Sequence, residues 1–171
     1  RRGLVWPQRL QVALGYEGRV DLLPVTVDAG GTTLHAGRRA MPQYVLPNGA
    51  GLGYGLFVLD RASREYLLAH VEDVPDALTR GSAWVTLWDN LLEGEVTPPA
   101  FLDAAMRALP HEADEQNAER VLAYAGRTFW RFLAPGDRAS RGPTLEAVLR
   151  AGIGRGKTQS EKAGWFNACR D

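Results

Sequence analysis

A chain of 171 residues, 45% of them apolar, is long enough to bury a core of its own, and its 20 basic and 20 acidic side chains leave no formal net charge. That balance removes the electrostatic case for a nucleic-acid partner or an anionic membrane surface. The lone Cys169 excludes an internal disulfide scaffold, no apolar run approaches the ~20 residues that span a bilayer, and RRGLVWPQRL lacks a signal peptide's apolar core, so a cytoplasmic protein is expected.

From Arg9 to Tyr16, Leu10, Val12 and Leu14 alternate with Arg9, Gln11 and Ala13, which predicts a strand with one buried face. Glu17 and Gly18 make the turn into a second strand, Val20 to Val27, whose Pro24 suggests an edge or a bulge. Asp28, Ala29, Gly30 and Gly31 then close a hairpin into a strand at Thr32 to His35. A further strand at Gln43 to Leu46 leads through the glycine-rich NGAGLGYG to a strand at Tyr54 to Leu59. Short strands at this spacing predict a small antiparallel β-sandwich.

At Asp60, an N-cap type of residue, the hydrophobic period changes from two to 3.6. A first helix is expected at Ser63 to Val71, and a second, with Pro75 in its first turn, running to Leu92 and ended by Gly94. Ala77, Gly81, Trp84, Trp88 and Leu91 share one side of it, with Leu78, Val85 and Leu92 on the adjoining side. Pro98 and Pro99 start a third helix, with Phe101, Leu102, Ala105, Met106 and Leu109 facing inward before Pro110. A fourth is expected from about Asp114 to Phe132, burying Val121, Leu122, Ala125, Phe129 and Leu133. Pro135 to Pro143 reads as a polar loop, and Thr144 to Arg150 as the start of a fifth helix. Successive antiparallel helix pairs stack into an α-solenoid, although no clean repeat period is present. The expected fold class is therefore α+β in two parts: a β-sandwich domain at 1–60, then an α-helical superhelical domain at 61–171. With no initiator Met and a last helix lacking a stop signal, the chain reads as a fragment truncated at the C-terminus. Trp165 and Phe166 are then expected to have lost their packing partners.

Several strings invite a chemical reading. AGIGRGKT at Ala151 to Thr158 satisfies the looser form of the phosphate-binding loop, but that loop must leave a buried strand and enter a helix facing the anion. Here the preceding TLEAVLR is amphipathic at helical spacing, so a glycine-rich loop between helices is the simpler reading. The glycines at 49, 51, 53 and 55 miss the dinucleotide spacing and precede a strand instead of following one. His111 and Glu112 lack the second His that HExxH zinc binding requires at position 115, which is Glu. His35, His70 and His111 are far apart in sequence, no Ser stands in a nucleophile elbow, and Trp84, Trp88, Phe101, Phe129 and Trp130 fit a helical core. No catalytic, cofactor-binding or metal-binding residue is assigned to this chain.

Three segments, DLLPVTV at Asp21 to Val27, LPNGAGLGYGLFVLD at Leu46 to Asp60 and LTRGSAWVTLWDNLLEGEV at Leu78 to Val96, resemble the C-terminal part of the M1 family of zinc aminopeptidases. The terminal SEKAGWFNACRD is similar to the start of another helix of the same superhelix. The resemblance implies a parent enzyme that removes N-terminal residues from peptides, with zinc held by two His and a Glu in a catalytic domain upstream of Arg1. It implies that the partners of this region are that catalytic domain and the parent's peptide substrates, with no nucleic acid and no membrane. The chain contains neither HExxH nor GxMEN, so the fragment itself is expected to hold no zinc and to be inactive, serving as wall or cap over the active-site cavity. Helical domains of the family sometimes offer basic side chains to the substrate carboxylate. Arg80 and Arg127 are the only candidates here, and each reads more readily as a surface arginine. The rivals are a stand-alone protein-interaction module with a helical-repeat face and, on AGIGRGKT alone, a nucleotide-binding enzyme.

Overall fold

Strand β1 (Gln8–Tyr16) is the centre of a three-stranded antiparallel sheet, flanked by β2 (Arg19–Val27) and β3 (Tyr44–Leu46). The computed structural model describes residues 6–28, 30–35, 37 and 40–170. Six α-helices follow the strands: α1 (Arg61–His70), α2 (Ala77–Leu92), α3 (Pro98–Ala108), α4 (Glu115–Arg127), α5 (Pro135–Arg155) and α6 (Gln159–Arg170). The fold is α+β. The chain divides into two compact units, one up to Asp89 and one from Asn90 onward.

In the first unit the hairpin register runs from Tyr16 opposite Arg19 to Gln8 opposite Val27, with Gly18 at φ 66° in the turn. That left-handed conformation is one glycine adopts without a Cβ clash. Pro24 sits on β2, which pairs on one side only, so its missing N–H removes no ladder bond from the centre of the sheet. The alternation expected of β1 holds only for its first half. Val12, Ala13, Leu14 and Gly15 are all buried, because both faces of the strand are covered there. The Tyr44 ring lies over Gly15, where an added Cβ would fall 1.9 Å from the ring, and Gly49 lies over Ala13, where one would fall 2.5 Å from the Ala13 Cβ.

Two expected strands are not formed. Thr32 to His35 is irregular, and so is Tyr54 to Leu59, so the described residues hold one sheet. The second segment is apolar enough for a strand, but no described strand pairs with it. A ladder-like rung there comes from a side chain: the Gln8 carboxamide accepts from the Tyr54 N–H and donates to its carbonyl, both at 2.8 Å. Leu56 and Val58 stay exposed while Leu59 is buried, leading into α1. Asp60 caps that helix as expected, its Oδ1 accepting from the Ser63 N–H at 3.0 Å. The Ser63 hydroxyl donates to Asp60 Oδ2 and accepts from the Val45 N–H at 2.8 Å, so one buried hydroxyl ties the cap to β3.

Pro75, expected in the first turn of α2, lies outside it: the helix begins at Ala77 and Asp76 is the cap, its Oδ2 accepting from the Thr79 N–H at 2.7 Å. Trp84, Leu87, Trp88 and Leu91 are buried, but Leu78 and Leu92 are exposed, so the apolar face is narrower than expected. Gly94 (φ 80°) stops it where the sequence places the stop.

In the second unit Pro98 opens α3 and Asp114 caps α4, its Oδ1 accepting from the Asn117 N–H. The fourth helix ends as a π turn, Thr128–Phe132, in which the Thr128 hydroxyl donates to the Tyr124 carbonyl. The stretch from Pro135 to Pro143, expected as a polar loop, is helix. Pro135 stands in the first turn, where its missing N–H costs nothing, but Pro143 lies inside and removes one helical bond. Against that loss, Arg141 makes a two-pronged contact with Asp103 of α3 (2.9 and 3.0 Å) and bonds Asp137 one turn back at 2.8 Å. Trp165 is buried rather than stranded: Gly152 of α5 lies against its ring, where a Cβ would come within 2.1 Å.

Gly15→Ala must push the Tyr44 ring aside, an overpacking expected to cost ~1–3 kcal/mol. Urea unfolding followed by far-UV circular dichroism checks it; an unchanged midpoint would mean that the ring leaves the strand freely.

Candidate functional site

The first unit holds a cavity of about 300 Å³ between the β1–β2 turn, the start of β3 and the outer face of α1. Its making follows from the glycine in β1. With no side chain at Gly15, Tyr44 lies flat across the sheet, 3% exposed, and stacks on Tyr66 of α1 with centroids 5.5 Å apart. One helical turn on from Tyr66, His70 lies 4.8 Å from its ring, continuing the aromatic wall. Beyond the helix end, Asp73 in the turn Val71–Asp73 meets His70 Nδ1 at 3.3 Å. Tyr16 and Glu17 close the other side, and Tyr66 donates its hydroxyl to Gln43 Oε1 at 3.1 Å.

The hydroxyls of Tyr16 and Tyr44 are both buried with no hydrogen-bond partner among the described residues. Burial, and secondarily the neighbouring Tyr66, push the Tyr44 hydroxyl up to about 12. Burial and the negative charges of Asp73 and Glu17 also raise Tyr66 above the usual phenol range. These two phenols therefore stay protonated at neutral pH. The described lining carries Glu17 and Asp73 and no Lys or Arg.

In the second unit a groove of about 550 Å³ runs between α4 and α6. It exists because Ala123 and Gly126 on one helix and Gly164 and Ala168 on the other leave room between them. Trp130, 58% exposed, stands at its edge beside Arg127 and Arg131.

The residues singled out from the sequence do not converge. Arg80 is half-buried and bonds the Val74 carbonyl at 2.7 Å, which gives it a structural role at the start of α2. Arg127 is exposed in the α4–α6 groove. His35 and His111 are exposed, and His70 lines the cavity of the first unit. Among the described residues no three His, Cys, Asp or Glu side chains gather as a metal site, and no helix is long and apolar enough to cross a membrane. Cys169 is half-buried on α6.

The string AGIGRGKT resolves into helix and cap. Ala151 to Arg155 is the end of α5, and Thr158 caps α6. The amides of Lys157 and Thr158, which would have to face a phosphate, instead donate to Glu161 Oε2, while the Thr158 hydroxyl accepts from the Glu161 N–H at 3.0 Å. This reciprocal pair is a capping box. NGAGLGYG is pinned to β1: Gly49 donates its N–H to the Gln11 carbonyl at 2.8 Å, and the Asn48 carboxamide bonds both the N–H and the carbonyl of Gly53. The tyrosine cavity has no signature in the sequence apart from Tyr66 and His70 one turn apart, because Tyr16 and Tyr44 reach it from separate strands.

No protein-family model matches the chain, and no curated protein does. The chemistry of the two clefts therefore stands on their own geometry.

ATP with magnesium is expected to leave the melting temperature unchanged, since the amides of the glycine-rich string are already occupied; a concentration-dependent rise would overturn that assignment. The bonds from Lys157 and Thr158 lower the Glu161 pKa, so the cap's contribution is complete above the ordinary carboxylate range and disappears as pH falls through the lowered value. Amide exchange at the first turn of α6, followed through that acid range, reads it directly.

Proposed function

We propose that the chain is the non-catalytic C-terminal part of a zinc-dependent aminopeptidase of the M1 type. In the parent enzyme its sheet forms a layer of a small β-sandwich and its helices form part of a superhelix, together walling or capping the cavity in which N-terminal residues are removed from peptides. The reading rests on one observation. The segments that carry the likeness coincide with the elements that organise the first unit: DLLPVTV is the body of β2, the glycine run is the strap laid on β1, and LTRGSAWVTLWDN covers most of α2. The strands-then-helices order agrees with it. Zinc belongs to the proposed catalytic domain, since the chain has no HExxH and its histidines do not gather into a ligand set among the described residues.

A second reading, a stand-alone protein-interaction module, is favoured by the α4–α6 groove, where Trp130 is exposed beside two arginines.

The purified chain is expected to bind no stoichiometric zinc and to release no fluorophore from aminoacyl-coumarin reporters; metal-dependent turnover by the chain alone would contradict the proposal. The encoding frame upstream of Arg1 separates the two readings: GxMEN followed by HExxH supports the aminopeptidase, and a native start codon near Arg1 supports the interaction module.

A further inference from the structure

We propose that the cavity between the β1–β2 turn, β3 and α1 binds an organic cation, an ammonium or guanidinium head carried by a basic side chain or a small amine. This goes beyond any role of the chain as a wall, because it assigns a ligand to the first unit itself.

Three independent features of the cavity point the same way. The first is the sign of its charge. Glu17 and Asp73 both face Tyr66, no Lys or Arg lines the described cavity, and an anion would meet two carboxylates there. The second is the character of its walls. Tyr44, Tyr66 and His70 stand in a row with centroid spacings of 5.5 and 4.8 Å; Tyr44 is covered by Gly15 and Tyr66, so the Tyr66 and His70 rings are the ones the cavity offers to a cation, which ring faces attract through their quadrupole. Arg19 already uses Tyr16 in this way: its guanidinium carbon stands 4.8 Å from that ring's centroid, held by Asp21 at 3.1 Å and outside the lining.

The third is a deficit of hydrogen bonds. Tyr44 is 97% buried, yet neither its hydroxyl nor that of Tyr16 has a partner among the described residues. An unsatisfied buried hydroxyl costs about 1–3 kcal/mol, so a pair of them beside an open cavity calls for something to bond. An ammonium or guanidinium head in the cavity sets its charge beside Glu17 and Asp73, and the two hydroxyls, closed to solvent as they stand, reach its N–H groups once their rings shift. A volume of about 300 Å³ accommodates such a head with a short alkyl stem.

The test is calorimetric titration of the full chain with three probes: Nα-acetyl-argininamide, ethylguanidinium and the neutral isostere Nα-acetyl-citrullinamide. Both cations are expected to bind saturably, and the citrulline probe at least about tenfold more weakly, as loss of a hydrogen bond to a charged group implies. Tyr44→Phe keeps the ring over Gly15 and removes only a hydroxyl without a partner, so it folds, as its melting temperature will show. Glu17→Gln changes an exposed turn residue. Each substitution is expected to weaken the cations by roughly tenfold. Tighter binding of the argininamide than of ethylguanidinium assigns the site to a basic side chain of a peptide, and equal binding to a free small cation. Equal affinity for the citrulline probe, unchanged affinity in both variants, or no saturation up to the solubility of the probes would overturn the proposal and leave a water-filled cavity.

Discussion

The first unit depends on the close approach of one stretch of backbone to another. Gly49 brings its N–H within 2.8 Å of the Gln11 carbonyl, at a spacing that leaves no room for a Cβ above Ala13. The short strand β3 ends at Leu46, and this bond carries backbone pairing to β1 beyond it. Because the glycine strap lies on β1, the strand is buried on both faces, and the strap in turn gives the helices something to hold. The Asn48 carbonyl accepts the Ser82 hydroxyl of α2, and the Asn48 side chain clamps Gly53 so that the loop keeps its shape. The buried Ser63 completes the arrangement by joining the cap of α1 to β3.

The second unit uses the same device at a different place. Helices α5 and α6 meet where Gly152 leaves space for the Trp165 ring, and the Arg155 guanidinium lies 5.8 Å from that ring's centroid. At the other end of α5, a helix with an internal proline is held by Arg141 reaching to Asp103 of α3. In both units a missing side chain sets a contact that a larger one could not make, and polar bonds then fix its register. Gly15 extends the principle to function, since the space it leaves positions Tyr44 and thereby creates the tyrosine cavity.

What could be read from the sequence was local. Asp60 and Asp114 as caps, Pro98 as a helix start and Gly94 as a stop act on their own neighbours within a turn, so their residue types announce them. Pro135 to Pro143 was not legible as helix, because propensity argues against it and the compensating bond comes from Asp103, thirty-eight residues from Arg141. Tyr54 to Leu59 has the composition of a strand, but composition does not supply the neighbour that a strand needs. The cavity was not legible, since its walls come from a turn, a strand and a helix that only the folded chain brings together. AGIGRGKT misleads for the opposite reason: the string matches, but the amides it offers are taken by Glu161 three and four residues on.

The dependence of the first unit on the glycine strap is tested most directly by amide hydrogen exchange along β1 in Gly49→Ala. Loss of protection across β1, with a destabilisation of about 1–3 kcal/mol or more from overpacking against Ala13, is the expected result. Protection of β1 equal to that of the parent sequence would contradict the account, because it would mean that the strap can lift away and leave the sheet intact.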